Sequence, residues 1–246
     1  ALGYEVKSQR FRVAAEVENL EVVLHGTSRA EERLIIGAHF DTAANTPGAD
    51  DNASGVAALL EVARWLRGKR SPRTVHLVAF TNEEPPYFGT TQMGSYRYAQ
   101  RAAERGWNVV GMLCLESIGF YSDGAKSQRY PPPVGWLYPH RGNFITFVGN
   151  LDSRSFTRRT VKLFRRHGKI ASEGIAAPTW VNGVDFSDHK NFWDRDFPAL
   201  MVTDTAPFRN RHYHKRSDTP ETLDYRKLAL VTQGLLPVIE ALAEGP

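Results

Sequence analysis

The sequence predicts an α/β fold, formed by a single domain over residues 1–246, with a mixed, mostly parallel central sheet and helices on both faces. Three observations favour this fold. Short apolar runs alternate with longer segments of helical periodicity. Residues 109–115 are apolar throughout, as a strand buried on both faces of a parallel sheet is. No internal repeat or obvious linker divides the chain, whose length suits one α/β domain.

Six short apolar segments are predicted as strands because turn or charged residues bound each of them. They are residues 20–26, 34–38, 74–80, 109–115, 144–148 and 199–202. The charged segment 29–33, between the first two, is predicted as a turn. Strands that alternate with helices are expected to pair mainly in parallel.

Four segments carry apolar residues at helical spacing. They run from near Ser54 to Gly68, over residues 95–105, from a capping Asp152 to near Gly168, and onward from near Asp224. Glycine suits a helix end and aspartate suits a helix start. The alternation breaks at residues 121–142, where Pro131, Pro132 and Pro133 adjoin several glycines and aromatics. A loop of this length is predicted either as a lid or as a plain surface loop.

Composition excludes several classes of protein. Hydrophobic residues form 41% and charged residues 24% of the chain, a globular balance that argues against disorder. No apolar run approaches about 18 residues, so we expect no membrane partner. The net charge is +4, but the densest basic stretch, 158–166, lies on a predicted helix with Phe156 and Phe164 on its apolar side. We interpret it as a solvated helix face and expect no nucleic-acid partner. Cys114, the single cysteine, is predicted as a buried core thiol.

Metal-binding residue types follow the predicted strands, and ligands of such sheets bind at the carboxyl ends of the strands. Listed along the chain, they are His39 and Asp41 after strand 34–38, Asp51 before the next helix, Glu83 and Glu84 after strand 74–80, Glu116 after strand 109–115, and His212 and His214 after strand 199–202. Imidazole and carboxylate are zinc ligands. A two-metal centre needs a bridging carboxylate and ligands for each ion, and this set would supply them.

Purely structural interpretations compete with this prediction. His39 alone would be an ordinary polar residue at a strand end. Glu83 and Glu84 resemble the acidic start of a helix, but two prolines follow them and no helical pattern begins there. An unpaired Glu116 at the end of an apolar strand would be costly, and a metal ion would remove that cost. Asp50 is predicted to form a turn rather than to bind metal.

Five short segments resemble the M28 family of zinc aminopeptidases in sequence, order and spacing, and the resemblance extends over almost the whole chain. They are residues 37–42 (GAHFDT), 48–55 (GADDNASG), 81–84 (TNEE), 187–189 (SDH) and 213–214 (YH). The resemblance implies an enzyme that binds two zinc ions and acts on peptides with a free N-terminus. Neither an oligomeric state nor a compartment is implied, and an exported mature form and a cytoplasmic protein both stay open.

The resemblance also implies roles for individual residues. The metal ligands are His39 and Glu116 for one ion, Glu84 and His214 for the other, and Asp51 as the bridge, followed by a cis peptide bond to Asn52. Asp41 is expected to accept a hydrogen bond from the ring of His39. Glu83 is expected to act as the general base, and Tyr213 to direct its hydroxyl toward the developing oxyanion.

The sequence departs from the family pattern at two places. Glu116 stands where many members carry Asp, which bears on the metal spacing and on the fit of the substrate amine. Residues 85–88 (PPYF) replace a glycine-rich continuation. Two alternatives to the two-zinc aminopeptidase stay open: a single-zinc enzyme of the glutaminyl cyclase kind on the same scaffold, and a non-catalytic, degenerate relative.

Overall fold

One central sheet organises the computed structural model, which describes residues 2–132 and 134–245. Its strands are β1 (Lys7–Arg12), β2 (Glu16–Leu24), β3 (Arg29–His39), β4 (Arg73–Phe80), β5 (Asn108–Glu116), β6 (Phe144–Gly149), β7 (Ala171–Ala176) and β8 (Ala199–Thr203). The helices are α1 (Gly55–Leu66), α2 (Gly94–Glu104), α3 (Arg154–His167), α4 (His189–Trp193) and α5 (Tyr225–Glu244). The strand order is β1-β2-β4-β3-β5-β8-β6-β7. The pairs β3/β4, β3/β5, β5/β8 and β6/β7 are parallel and the others antiparallel, so the mixed, mostly parallel sheet is confirmed.

Helices cover both faces of the sheet, as predicted. Successive strand residues point to opposite faces, so Ile36 joins the core formed with α1, α3 and α5 while its neighbour Ile35 joins the core formed with α2 and α4. On β5, Leu113 likewise belongs to the first of these cores and Met112 to the second. This two-sided burial explains why the central strands are apolar at every position. Cys114 is buried within β5, and burial raises the pKa of its thiol, which confirms the core interpretation.

The helix starts agree with prediction except at α3. The side chain of Asp224 accepts the N–H of Lys227 (2.9 Å), so the predicted cap of α5 is confirmed. The predicted cap of α3 is wrong, because Asp152 is exposed and Ser153 occupies the capping position before Arg154. The chain turns one residue later than expected, and Asn150 Oδ1 accepts the N–H of Ser153 there (2.8 Å).

The segment 29–33 is the first part of β3, not a turn, so this prediction is wrong. Its charged side chains have partners that make an extended strand stable: Arg33 lies over the ring of Trp107, 4.5 Å from the centroid, and Glu32 pairs with Arg73. Two strands escaped prediction, β1 and β7, and each lies at an edge of the sheet. Edge strands need less apolar sequence, because one side of each faces solvent.

The loop at residues 121–142 packs against the part of the sheet formed by β6 and β7. Its described part includes a short turn of 3-10 helix, Val134–Trp136. The hydroxyl of Tyr138 donates to the carbonyl oxygen of Gly174 in β7 (3.2 Å), which fastens the loop to the sheet edge. None of the helices in the described ranges combines the length and apolar character needed to cross a bilayer.

Candidate two-metal active site

The site lies where three adjacent parallel strands end. His39 is the last residue of β3 and Glu116 the last of β5, while Glu83 and Glu84 follow β4 directly. Since β4, β3 and β5 are neighbours in that order, their carboxyl ends bring these side chains together. Asp51 comes from an irregular helical turn, Ala49–Ser54, that precedes α1.

The turn that carries Asp51 is held by side chains from elsewhere in the chain. The Asp51–Asn52 peptide bond is cis, as the resemblance led us to expect. The carboxylate of Asp218 accepts the N–H groups of Asp50 (3.1 Å) and Asp51 (3.2 Å). Asn52 donates to the carbonyl oxygen of Leu115 in β5 (2.8 Å). The turn is therefore tied to the strand that ends in Glu116.

Three ligand atoms form a first group around His39. Its Nε2 atom lies 3.2 Å from Asp51 Oδ1 and 3.1 Å from Glu116 Oε2. Ligand atoms on a tetrahedral zinc, each about 2.0–2.2 Å from the ion, lie roughly 3.3–3.6 Å apart. The observed distances are close to this spacing, and all three residues are buried.

A second group uses the other oxygen of Asp51. His214 Nε2 lies 3.1 Å from Asp51 Oδ2 and 3.1 Å from Glu84 Oε2. The side chain of His214 is 34% exposed, so this group is the more open of the two. Asp51 thus contributes one oxygen to each group, which is the arrangement of a carboxylate that bridges two ions.

The residues present fit a pair of divalent cations. His39 Nε2 and Glu84 Oε1 are buried without a hydrogen-bond partner among the described residues. Buried polar atoms are rarely left unpaired, so these two atoms indicate a missing ligand. A set of two imidazoles and three carboxylates matches the donor preference of zinc.

Electrostatics favours positive charge at the same place. Burial lowers the pKa of His39, but the charges of Glu116 and its neighbours outweigh burial and raise this pKa well above its ordinary value. Burial likewise opposes protonation of His214, whose hydrogen bond to Asp51 contributes most to raising its pKa to about 10. Closely packed carboxylates favour positive charge on these rings, and bound cations would meet the same negative charge.

Glu83 lies beside the first group but outside it. Its Oε2 atom is 4.0 Å from His39 Nε2. Burial raises the pKa of Glu83; His39 opposes this increase, whereas the charges of other nearby carboxylates add to it. The carboxylate thus lies next to the first group without belonging to it.

Asp41 supports the Glu83–Glu84 segment rather than only the His39 ring. Its two carboxylate oxygens accept the main-chain N–H groups of Glu83 (3.1 Å) and Glu84 (3.0 Å). His39 Nδ1 lies 3.1 Å from the main-chain oxygen of Asp41 and 3.7 Å from its carboxylate. At 3.7 Å the ring and the carboxylate are too far apart for the hydrogen bond expected from the sequence, and the main-chain oxygen of Asp41 is the group within hydrogen-bond distance of Nδ1.

Tyr213 is stacked on His214, with ring centroids 3.9 Å apart. Burial and the charge of Asp51 raise the pKa of Tyr213, so the phenol keeps its proton at neutral pH. His212 belongs to neither group of ligand atoms; its Nδ1 atom lies 2.9 Å from Ser217 Oγ. His189 is buried, with Nε2 2.8 Å from the carbonyl oxygen of Val184.

Several supporting residues were not predicted from the sequence. Ser187 and Ser117 each donate a 2.8 Å hydrogen bond to a different oxygen of Glu116. Asp50 is buried and accepts the N–H of Gly119 (2.8 Å) and the amide of Asn210 (2.7 Å), so it joins loops rather than forming a simple turn. Ser187 had a signal in the sequence as part of the SDH segment, and Asp50 as part of the GADDNASG segment, but neither supporting role was predicted.

Comparison with known proteins decides the family. Residues 19–239 match the model of peptidase family M28. The chain belongs to this family. It is 43% identical over 215 residues to the uncharacterized protein YfbL of Escherichia coli (strain K12), covering 84% of this chain and 66% of that protein. It is 28% identical over 233 residues to a probable leucine aminopeptidase of Arthroderma otae, covering 90% of this chain and 54% of that protein. The chain thus spans about half to two-thirds of the length of these relatives.

Solved structures share the M28 chain's fold. BSAP, a zinc aminopeptidase from Bacillus subtilis, is 18% identical with a TM-score of 0.66, covering 92% of this chain and 50% of that one. The glutaminyl cyclase of Fimbriiglobus ruber is 20% identical with a TM-score of 0.66, covering 97% of this chain and 82% of that one. The fold therefore does not separate an aminopeptidase from a cyclase, and the separation must come from the site.

A pocket of about 80 Å³ adjoins the candidate site, and Glu116 and Tyr213 form part of its lining. Its lining is mostly apolar and includes Val148, Ile175, Val181, Phe186, Met201 and Phe208. The aromatic residues Trp180 and Tyr87 are not part of this lining, and Trp180 is 77% exposed. Phe88 reaches the pocket indirectly, through edge-to-face packing on Phe186.

Proposed function

We propose that this chain is a two-zinc aminopeptidase, which removes the N-terminal residue of peptides. One observation carries the proposal: the two carboxylate oxygens of Asp51 belong to two separate ligand groups, each completed by a histidine and a glutamate. A single-metal enzyme has no need for the second group. The names of relatives agree, because an M28 relative is described as a probable leucine aminopeptidase.

The proposed ligands are His39, Asp51 and Glu116 for one ion and Asp51, Glu84 and His214 for the other. Two zinc ions held there would polarise the scissile carbonyl and lower the pKa of a water molecule toward neutrality. Ser187 and Ser117 would hold the Glu116 carboxylate in its orientation, because each donates to one of its oxygens.

Glu83 is the proposed general base. It takes a proton from the attacking water and then passes this proton to the leaving amine of the peptide. Its burial and its position 4.0 Å from His39 Nε2 support this role, since a base must lie near the metals without being consumed as a ligand. Asp41 positions Glu83 by accepting its main-chain N–H.

Tyr213 is the proposed donor to the oxyanion that forms at the scissile carbonyl. A phenol that keeps its proton can donate a hydrogen bond to developing negative charge. The substrate's N-terminal amine would lie near Glu116, and its side chain would enter the neighbouring apolar pocket. In this arrangement the scissile bond would lie between Glu83 and Tyr213.

Metal content and hydrolysis together test the proposal. The purified chain is loaded with zinc, dialysed and measured by elemental analysis, and aminoacyl-nitroanilides are assayed in parallel. Two zinc ions per chain with chelator-sensitive hydrolysis support the aminopeptidase. One zinc ion, no hydrolysis and cyclisation of N-terminal glutamine would favour a cyclase. Two ions with neither activity would indicate a degenerate relative.

A further inference from the structure

Four residues form a row across the four neighbouring strands β5, β8, β6 and β7. Glu116 pairs with Thr203, Thr203 with Thr146, and Thr146 with Glu173. All four line the apolar pocket, so their side chains share one face of the sheet. Three strand spacings of about 4.8 Å place the two ends of the row roughly 14 Å apart. The pocket therefore runs across the strands, from the proposed metal ligand Glu116 to Glu173 on the edge strand.

The hydroxyl of Thr146 is a polar group without a partner in the middle of this row. The residue is 7% exposed, and its Oγ1 atom has no hydrogen-bond partner among the described residues. Buried hydroxyls are nearly always paired. Its polar neighbours in the row, Thr203 and Glu173, make no hydrogen bond to this oxygen in the described part of the chain. A ligand that fills the pocket would supply the missing partner.

Glu173, at the end of the row, is available for a ligand as well. Among the described residues its charged contact is with Arg165, at 3.6 Å, which is long for an ion pair. The side chain of Arg165 is 56% exposed, and such pairs contribute little. The nearby hydroxyls of Tyr130 and Tyr138 donate to the carbonyl oxygens of Pro139 and Gly174.

The charges that line the described pocket define what it would accept. They are Glu116 and Glu173, both acidic, and Arg129, whose side chain is exposed to solvent. A carboxylate is an acceptor and a threonine hydroxyl can also accept, so the complementary group is a donor. Lysine and arginine carry several donors and no acceptor, on an apolar stem that suits apolar walls.

We propose that this pocket selects a basic N-terminal residue, lysine or arginine, with its stem along Val148 and Ile175 and its cationic end held by Glu173 and Thr146. The proposal rests on the proposed function, because the pocket is taken to bind the side chain of the residue that is released. Glu173 and Thr146 are then the residues that determine specificity, and the metal centre is common to all substrates.

Lysine and norleucine substrates test this directly, because norleucine has the same stem without the amine. We expect the zinc-loaded chain to have a kcat/KM at least about 10-fold higher for lysyl- than for norleucyl-nitroanilide, since a site built to bind a polar group rejects an analogue that lacks it. Glu173→Gln should lower kcat/KM for the lysyl substrate about 10-fold and keep kcat/KM for the norleucyl substrate within about two-fold of the wild-type value. Thr146→Val, which keeps the shape of the side chain, should lower kcat/KM for the lysyl substrate several-fold and leave that for the norleucyl substrate unchanged. The control Glu31→Gln removes an exposed charge elsewhere and should change neither.

An unchanged lysine-to-norleucine ratio in Glu173→Gln, or a wild-type preference for norleucine, overturns the inference while leaving the aminopeptidase proposal intact. Loss of turnover on every aminoacyl substrate is instead a failure of the proposed function. Calorimetry of lysinamide and norleucinamide binding to zinc-loaded Glu83→Gln then tests the preference of the pocket independently of turnover. Tighter binding of lysinamide that Glu173→Gln abolishes supports it, and equal binding of the two amides overturns it.

Discussion

Oε2 of Glu83 lies 4.0 Å from Nε2 of His39, whereas the ligand atoms of the first group approach that nitrogen to 3.1–3.2 Å. This difference of less than 1 Å distinguishes carboxylates placed to bind a metal ion from one that would remain free to transfer a proton. Glu84, by contrast, lies 3.1 Å from His214 Nε2 in the second group, so the two neighbouring glutamates are proposed to have different roles.

Replacing Glu83 by glutamine should therefore remove the base and spare the metals. We expect kcat to fall at least about 10²-fold, because proton transfer by a positioned carboxylate contributes that much or more. Zinc content should stay at the wild-type value. Glu104→Gln, a change at an exposed position of α2, is the control. Near-normal turnover in Glu83→Gln would end the base assignment.

Removing single ligands should change the zinc stoichiometry in different ways. Asp51→Asn should lose both ions, because one side chain serves both groups, whereas His214→Ala should keep one, because His214 belongs only to the second group. Elemental analysis after dialysis measures this, with circular dichroism to verify folding. Equal losses in the two variants would contradict the bridging role of Asp51.

Asp41 should act on the rate through Glu83 and Glu84. Asp41→Ala leaves two main-chain N–H groups without their acceptor, so the Glu83–Glu84 segment loses its anchor. We expect kcat or metal affinity to fall about 10- to 100-fold, the usual cost of removing a support of the ligand shell. Asp41→Asn, which can still accept one of the two bonds, should recover part of the loss. The same residual activity in both variants would argue against an anchoring role.

Acid should destabilise the fold partly through Glu21, remote from the metal site. Burial raises the pKa of Glu21, but hydrogen bonds from His76 and Tyr98 and the charge of Arg101 outweigh it and lower the pKa to about 2. A depressed pKa contributes stability above the ordinary glutamate range, and this stability is lost as pH falls toward 2. The loss amounts to at most about 3.5 kcal/mol, at 1.36 kcal/mol per pKa unit.

Urea denaturation at pH 7, 4.5 and 3 measures this contribution. Between pH 4.5 and 3, the free energy of unfolding of Glu21→Gln should depend less on pH than that of the wild type. Glu18→Gln, on the same strand and in an exposed ion pair with Arg10, should follow the wild type. Parallel pH profiles for wild type and Glu21→Gln would show that Glu21 does not titrate as described.

The sequence predicted the central strands and the residues at their ends, because burial on both faces produces continuous apolar runs and His39 or Glu116 interrupts them abruptly. It did not predict β7, whose sequence ASEGIA mixes polar and small residues at a sheet edge. Nor did it predict Asp218, which binds the Asp51 turn from 167 residues away. No local pattern marks such a contact, since only the folded chain brings the two segments together.

The position of β7 also bears on how such an enzyme can diversify. Among the described strands β7 pairs with β6 alone and ends the sheet, while the proposed metal ligands lie at the ends of β3 and β5 or in the segments that follow β3, β4 and β8. Substitutions at Glu173 thus fall on a peripheral element that supports no metal ligand. Under the proposed roles, substitutions there would retune the preference for the released N-terminal residue without altering the metal site, so substrate range and catalytic machinery would be separable traits in this architecture.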